Sequence, residues 1–120
     1  YGQLLAGIMA GAGIGAEPDE TQAVQWYRKA VQQKVPLAEV LLGLAYYGGR
    51  GAPEDKTRAA DLFRRAAEQD EAVGQIWLAA CLARGEGVER DLHAAREWAL
   101  RAARQGHPGG AAMLRRLPRE

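Results

Sequence analysis

At 120 residues the chain has the length of one domain, and with 48% hydrophobic residues it can bury a core. The net charge of +1 argues against a dedicated nucleic-acid binder, and no apolar run approaches the ~20 residues that a membrane-spanning helix needs. The one cysteine, Cys81, has no partner for an internal disulfide.

Few β-branched residues and much Ala, Leu, Arg and Glu favour helix. The first helix is predicted near 2–11. It begins in mid-register at Tyr1, Leu4 and Leu5 without a capping residue, so more chain of the same kind is expected upstream. Gly11-Ala12-Gly13-Ile14-Gly15 ends it. Asp19 then opens a helix near 20–33, with Gln22 three residues on as in a capping box. Its apolar residues Ala23, Trp26, Tyr27, Ala30 and Val31 fall at i, i+3, i+4, i+7 and i+8, one stripe of an amphipathic helix. The segment 37–47, LAEVLLGLAYY, is apolar with helical spacing. GGRGAPED follows, and its glycines and proline mark a helix end and a turn. Asp55 suits an N-cap, because its carboxylate can accept free N–H groups of the next turn. A helix near 56–69 repeats the stripe with Ala59, Leu62, Phe63, Ala66 and Ala67. Helices near 73–84 and 92–105 come next, the latter with Ala95, Trp98, Ala99, Ala102 and Ala103. A last helix near 109–117 keeps the register through Leu114 and is cut short by Pro118. With Arg115, Arg116 and Arg119 it reads as a polar terminal cap.

One unit recurs every 36 residues. The step relates Gly13, Gly49 and Gly85; Gly15, Gly51 and Gly87; Asp19, Asp55 and Asp91; Ala23, Ala59 and Ala95; Ala30, Ala66 and Ala102; and Gln33, Gln69 and Gln105. A period of this size means stacked supersecondary units, because neither helix of a pair can bury its stripe alone. Large side chains at mid-stripe and alanines at its end suggest knobs meeting close-packed backbones. The predicted fold is an all-α solenoid of about three helix-pair repeats, near 1–36, 37–72 and 73–108, with a C-terminal cap over 109–120. Residues 1–120 form one repeat domain, expected to be part of a longer chain.

These residues resemble the Sel-one-like repeat family, a relative of the tetratricopeptide repeat. Leu42-Gly43, Tyr46, Gly49, Gly51, Asp55, Ala59, Phe63 and Ala66-Ala67 match its pattern. The third copy matches through Gly85, Gly87, Val88, Asp91, Ala95, Trp98 and Ala102-Ala103, and departs at Ala79 and Leu82. The first departs at Ala6 and Ala10. The resemblance implies a right-handed helical array acting as a non-catalytic adaptor or scaffold for proteins or peptides. It also implies a bacterial source, with a periplasmic or secreted location favoured.

Some features tempt a chemical reading. Gly11-Ala12-Gly13-Ile14-Gly15 looks like a phosphate loop, but no strand precedes it, no Lys-Ser or Lys-Thr follows, and its glycines recur as Gly49/Gly51 and Gly85/Gly87. His93 and His107 have no second histidine at helical spacing, which argues against a metal site. Cys81 stands where the other copies have Ala45 and Met9, so it reads as a small core residue. Asp19, Asp55 and Asp91 read as caps. No cofactor is expected, and no catalytic residue is nominated.

In tetratricopeptide-like arrays the first helix of each pair lines the concave side. Carried over, that puts Leu37, Val40, Leu44 and Tyr47 on the groove, with Leu4 and Ile8 from the first copy and Ile76 from the third. Such an apolar row often marks a partner site, and an amphipathic helix would use such anchors. Tyr47 and Trp77 are the aromatic anchor candidates. Trp77 also holds the column of Leu41 and Leu5, so inter-repeat core is equally open for it. Protein or peptide binding is the first reading. A structural or self-associating module, packing its apolar groove or its N-terminal face on another copy (a homo-oligomer) or on upstream repeats, is the second. An enzyme, or a regulatory domain attached to one, is a third and less favoured reading. Residues 1–72 carry a charge balance of −2 and residues 73–120 one of +3, which reads as a solvated helix surface or a preference for an acidic partner.

Overall fold

The second helices of the second and third repeats start on a carboxylate. Asp55 accepts from the backbone N–H of Arg58 at 3.1 Å, and Asp91 from that of Ala94 at 3.0 Å. The first helices of the same two repeats end on a left-handed glycine, Gly49 at φ 66° and Gly85 at φ 69°. These punctuation marks divide the chain into helices. The computed structural model describes residues 20–118, in which six helices follow one another. They are α1 (Glu20–Gln32), α2 (Pro36–Gly48), α3 (Lys56–Glu68), α4 (Ala72–Arg84), α5 (Leu92–Arg104) and α6 (Pro108–Arg116). The predicted helix near 2–11, the loop 11–15 and the cap Asp19 lie outside the described residues. Observed bounds differ from the expected ones by about one residue at either end.

Each helix packs on the next in sequence order, which makes a right-handed solenoid with no strand among the described residues. The first helices of successive repeats also touch: α2 packs on α4, and α4 on α6. The second helices α1, α3 and α5 make no comparable contact with one another. The array therefore curves with α2, α4 and α6 on the inside.

The core lies between the layers. Phe63, Leu78, Ala59, Ala66, Ala67, Ala79, Ala95 and Ala99 are fully buried. Removing a side chain the size of Phe63 or Leu78 from water stabilises the fold by about 1.5–3 kcal/mol, and an alanine methyl by about 0.8 kcal/mol. A Cβ added at Gly43 would lie 2.7 Å from the Phe63 ring, so the glycine of Leu42-Gly43 makes room for the aromatic knob. Two polar residues are buried in the first-helix layer, and both are satisfied in the same way. Glu39 accepts from Gln69 at 2.7 Å, and one step of 36 later Gln75 accepts from Gln105 at 2.9 Å. The repeating glutamine thus ties the end of each second helix to the polar position of the first helix in its own repeat.

Neighbouring repeats meet closely at the second glycine of each Gly-x-Gly. Gly51 (φ 81°) faces the carbonyl of Glu20, and Gly87 (φ 72°) faces that of Lys56. An added Cβ would come within 2.2 Å and 2.0 Å of those oxygens. The same junctions carry an ion pair whose polarity reverses. Glu20 pairs with Arg50 at 2.8 Å, and the equivalent Lys56 pairs with Glu86 at 3.3 Å. The turns between repeats hold a further left-handed residue every 36 positions: Lys34 (φ 59°), Asp70 (φ 63°) and Gly106 (φ 83°).

Candidate partner-binding surface

The inside of the curve is built by α2, α4 and α6, and the candidate residues lie on the first two. Leu37 opens α2 and is 38% exposed, the exposed large hydrophobic residue among those described. Leu44 and Tyr47 follow on α2, half-buried, and Ile76 and Trp77 are half-buried on α4. Val40 differs from expectation. It is 1% exposed and belongs to the core cluster with Leu42, Tyr46 and Phe63. The reason is that α2 is apolar nearly all round, so spacings of three and four residues do not by themselves say which stripe meets solvent. Leu4 and Ile8 lie outside the described residues.

Trp77 is half-buried and packs against the core, as its column with Leu41 suggests. Its ring stacks on Phe63 at 5.7 Å and meets Tyr47 at 5.6 Å with a 60° tilt. The three rings run from buried Phe63 to half-buried Tyr47. Tyr47 is then clamped by charge. Its hydroxyl donates to Glu86 at 2.8 Å, the Arg84 guanidinium reaches the same oxygen at 3.5 Å, and the Lys56 ammonium sits 3.8 Å from the ring centroid. Lys56 and Arg84 also pair with Glu86, at 3.3 and 3.6 Å. The Tyr47 hydrogen bond holds the Glu86 carboxyl below its usual range, and burial foremost, then Glu86, raises the Tyr47 phenol. The clamp draws on residues from α2, α3, α4 and the loop after it. Nothing in the repeat period signals it, because Ala83 replaces Tyr47 one step later.

The other chemically suggestive residues have structural positions. Cys81 is buried, and burial pushes its thiol up to about 11, far from a nucleophilic thiolate. His107 caps α6, its Nδ1 accepting from the Gly109 N–H at 3.0 Å. Glu71 caps α4 by accepting from Val73 at 3.2 Å. Both caps escape sequence reasoning, since neither residue type ranks among the usual N-caps. Among the described residues no three His, Cys, Asp or Glu side chains gather into a metal site, and no helix is long and apolar enough to cross a membrane.

The comparisons agree with this architecture. The sequence profile described as Sel1 repeat matches residues 1–35, 36–71 and 72–107. A protective antigen of uropathogenic Escherichia coli, c5321, displaying an SLR fold, is 39% identical with a TM-score of 0.84, over 87% of this chain and 22% of that one. A Sel1 repeat protein of Oxalobacter formigenes is 32% identical with a TM-score of 0.87, over 93% of this chain and 46% of that one. The chain thus spans less than half the length of either. Cysteine rich protein B of Helicobacter pylori shares the fold at 22% identity and a TM-score of 0.75, over 80% of this chain and 72% of that one. No curated protein matches the chain at a significant level. Sel1 repeat proteins are typically non-enzymatic helical scaffolds that mediate protein–protein interaction. Three consecutive matches that together span residues 1–107 decide the assignment: the chain belongs to the Sel1 repeat family.

Proposed function

We propose that this domain is a non-catalytic scaffold that holds an apolar peptide or protein segment against its concave face. The observation that carries this reading is Leu37, a 38% exposed leucine on the inner layer, on the same helix as half-buried Leu44 and Tyr47 and next to the helix bearing Ile76 and Trp77. Exposed apolar side chains on a concave surface are what a partner would cover. The rings of Tyr47 and Trp77 are held by neighbours on either side, so little side-chain freedom would be lost on binding. The Phe63–Trp77 stack and the Glu86 clamp supply that preorganisation.

The test is selection of peptides from a displayed library on the purified domain, followed by binding to a Leu37→Asp variant. Leu37 is a better probe than Leu44, whose partial burial against the core would mix folding with binding. Enriched uncharged peptides should carry apolar residues at helical spacing and should lose affinity at least tenfold on the variant, because the aspartate is desolvated in the contact. The variant's melting temperature should stay close to the parent's. Enriched peptides that bind both proteins equally would overturn the proposal.

A further inference from the structure

The outer face also has a groove. It runs between α1 and α3, where the second helices stand apart, and a cavity of about 540 Å³ opens there. Leu42 and Leu62 floor it, Val31 and Thr57 flank it, and Tyr46 stands in its wall. A second opening of about 390 Å³ shares Val31 and Arg65 with the first and is lined further by Lys34, Glu39, Glu68 and Gln69, so its charges balance and the positive end of the groove is the one at Arg28 and Arg58.

The groove is apolar at its base, and its rim carries Arg58 and Arg65 with Asp61, and Arg28 beside Tyr46. The Arg28 guanidinium donates to the Tyr46 hydroxyl at 3.0 Å. The guanidinium carbons of Arg28 and Arg58 lie 6.0 and 5.7 Å from the Tyr46 ring centroid. Arg58 is held by Asp55 at 3.4 Å, and Arg65 by Asp61 at 3.1 Å. No ion pair engages Arg28 among the described residues; the Tyr46 hydroxyl is its hydrogen-bond acceptor. That hydroxyl, already accepting from Arg28, can donate its own proton outward. An arginine fork and a phenol meeting at one point suit a carboxylate. The setting is wider than the one pair. Helices α1, α3 and α5 together carry nine basic and four acidic side chains, so the outer layer is cationic although the whole chain is nearly neutral.

We infer that the α1–α3 groove is a second interaction site, which takes an acidic, amphipathic polypeptide segment. A carboxylate of that segment sits against Arg28 and the Tyr46 hydroxyl, and its apolar side chains rest on Leu42, Leu62 and Val31. Charge complementarity selects the occupant: the apolar floor asks for a partner with hydrophobic side chains, and the rim asks for negative charge. The site is independent of the concave face, so the domain can hold two partners at once.

The experiment is fluorescence anisotropy with a labelled synthetic peptide of alternating leucine and glutamate, with lysine-for-glutamate and polyglutamate peptides as comparisons. The leucine/glutamate peptide should bind saturably and weaken as salt rises. Arg28→Ala and Tyr46→Phe should each weaken it at least fivefold, with circular dichroism spectra unchanged. Tyr46→Phe keeps the buried ring, so it reports on the hydroxyl even if Arg28→Ala perturbs folding. Leu37→Asp, on the other face, should leave this binding unaltered. The inference is overturned if the lysine peptide or polyglutamate binds as tightly, if Tyr46→Phe has no effect, or if Leu37→Asp abolishes binding.

Discussion

Substituting alanine for Gly87 tests the way the repeats meet. The backbone there has φ 72°, which an alanine adopts at a cost of about 1 kcal/mol. The larger effect is contact. An added Cβ would lie 2.0 Å from the Lys56 carbonyl oxygen, 2.4 Å from its carbon and 2.9 Å from the Thr57 nitrogen, all of them backbone atoms at the start of α3. Relieving this requires a shift of more than about 1 Å in a helix start fixed by the Asp55 cap, and overpacking of this kind costs about 1–3 kcal/mol. The total loss is about 2–4 kcal/mol. Gly106 provides the control. Its φ is 83°, and an added Cβ there meets nothing within 4 Å. Gly106→Ala should therefore show the conformational cost alone, about 1 kcal/mol. Any change in unfolded-chain entropy is the same for both variants and cancels in the comparison. Urea denaturation followed by circular dichroism measures both. If Gly87→Ala is no more destabilising than Gly106→Ala, the close approach between repeats does not constrain the fold and the reasoning fails.

Three further outcomes are expected. Lys34→Gly should stabilise the domain by up to about 1 kcal/mol, because lysine occupies the left-handed region that glycine fills at the equivalent Gly106; a lower urea midpoint would contradict this. The Glu86 carboxyl is held below its usual range in the folded protein, so it contributes stability that is present above the ordinary carboxylate pKa and is lost as pH falls through the folded value. Glu86→Gln should flatten the urea midpoint across that acid window, and an unaltered pH profile would count against the Tyr47–Glu86 clamp. The Cys81 thiol, raised to about 11 by burial, should react with a thiol-specific reagent at neutral pH only when the chain opens; rapid labelling of the native protein would show that it is accessible.

The helices were legible because their ends are chemically marked. Asp55 and Asp91 accept from the residues three positions on, and Gly49 and Gly85 take the left-handed conformation, so both starts and stops stand in the sequence. The face turned to solvent was less legible. Nearly every position of α2 is apolar, and only the packing of Val40 with Phe63 and Tyr46 in one cluster separates it from Leu37. Left-handed Lys34 and Asp70 were hidden because neither is glycine, although Gly106 at the same step was a signal. The junction ion pairs escape periodic reading because they are complementary rather than repeated, Glu20–Arg50 at one and Lys56–Glu86 at the next. The Tyr47 clamp and the Arg28–Tyr46 contact join residues 39 and 18 positions apart, which a search for a 36-residue period does not find.

The central claim is that the inner layer, and not the outer one, receives an apolar partner. Amide and indole chemical-shift mapping, with an uncharged peptide enriched on the domain, tests it most directly. The account predicts shifts gathered on α2 and α4, at Leu37, Leu44, Tyr47 and Ile76 and at the Trp77 indole, with α1, α3 and α5 unmoved. Shifts confined to the second helices, with the Trp77 indole unchanged, would contradict it.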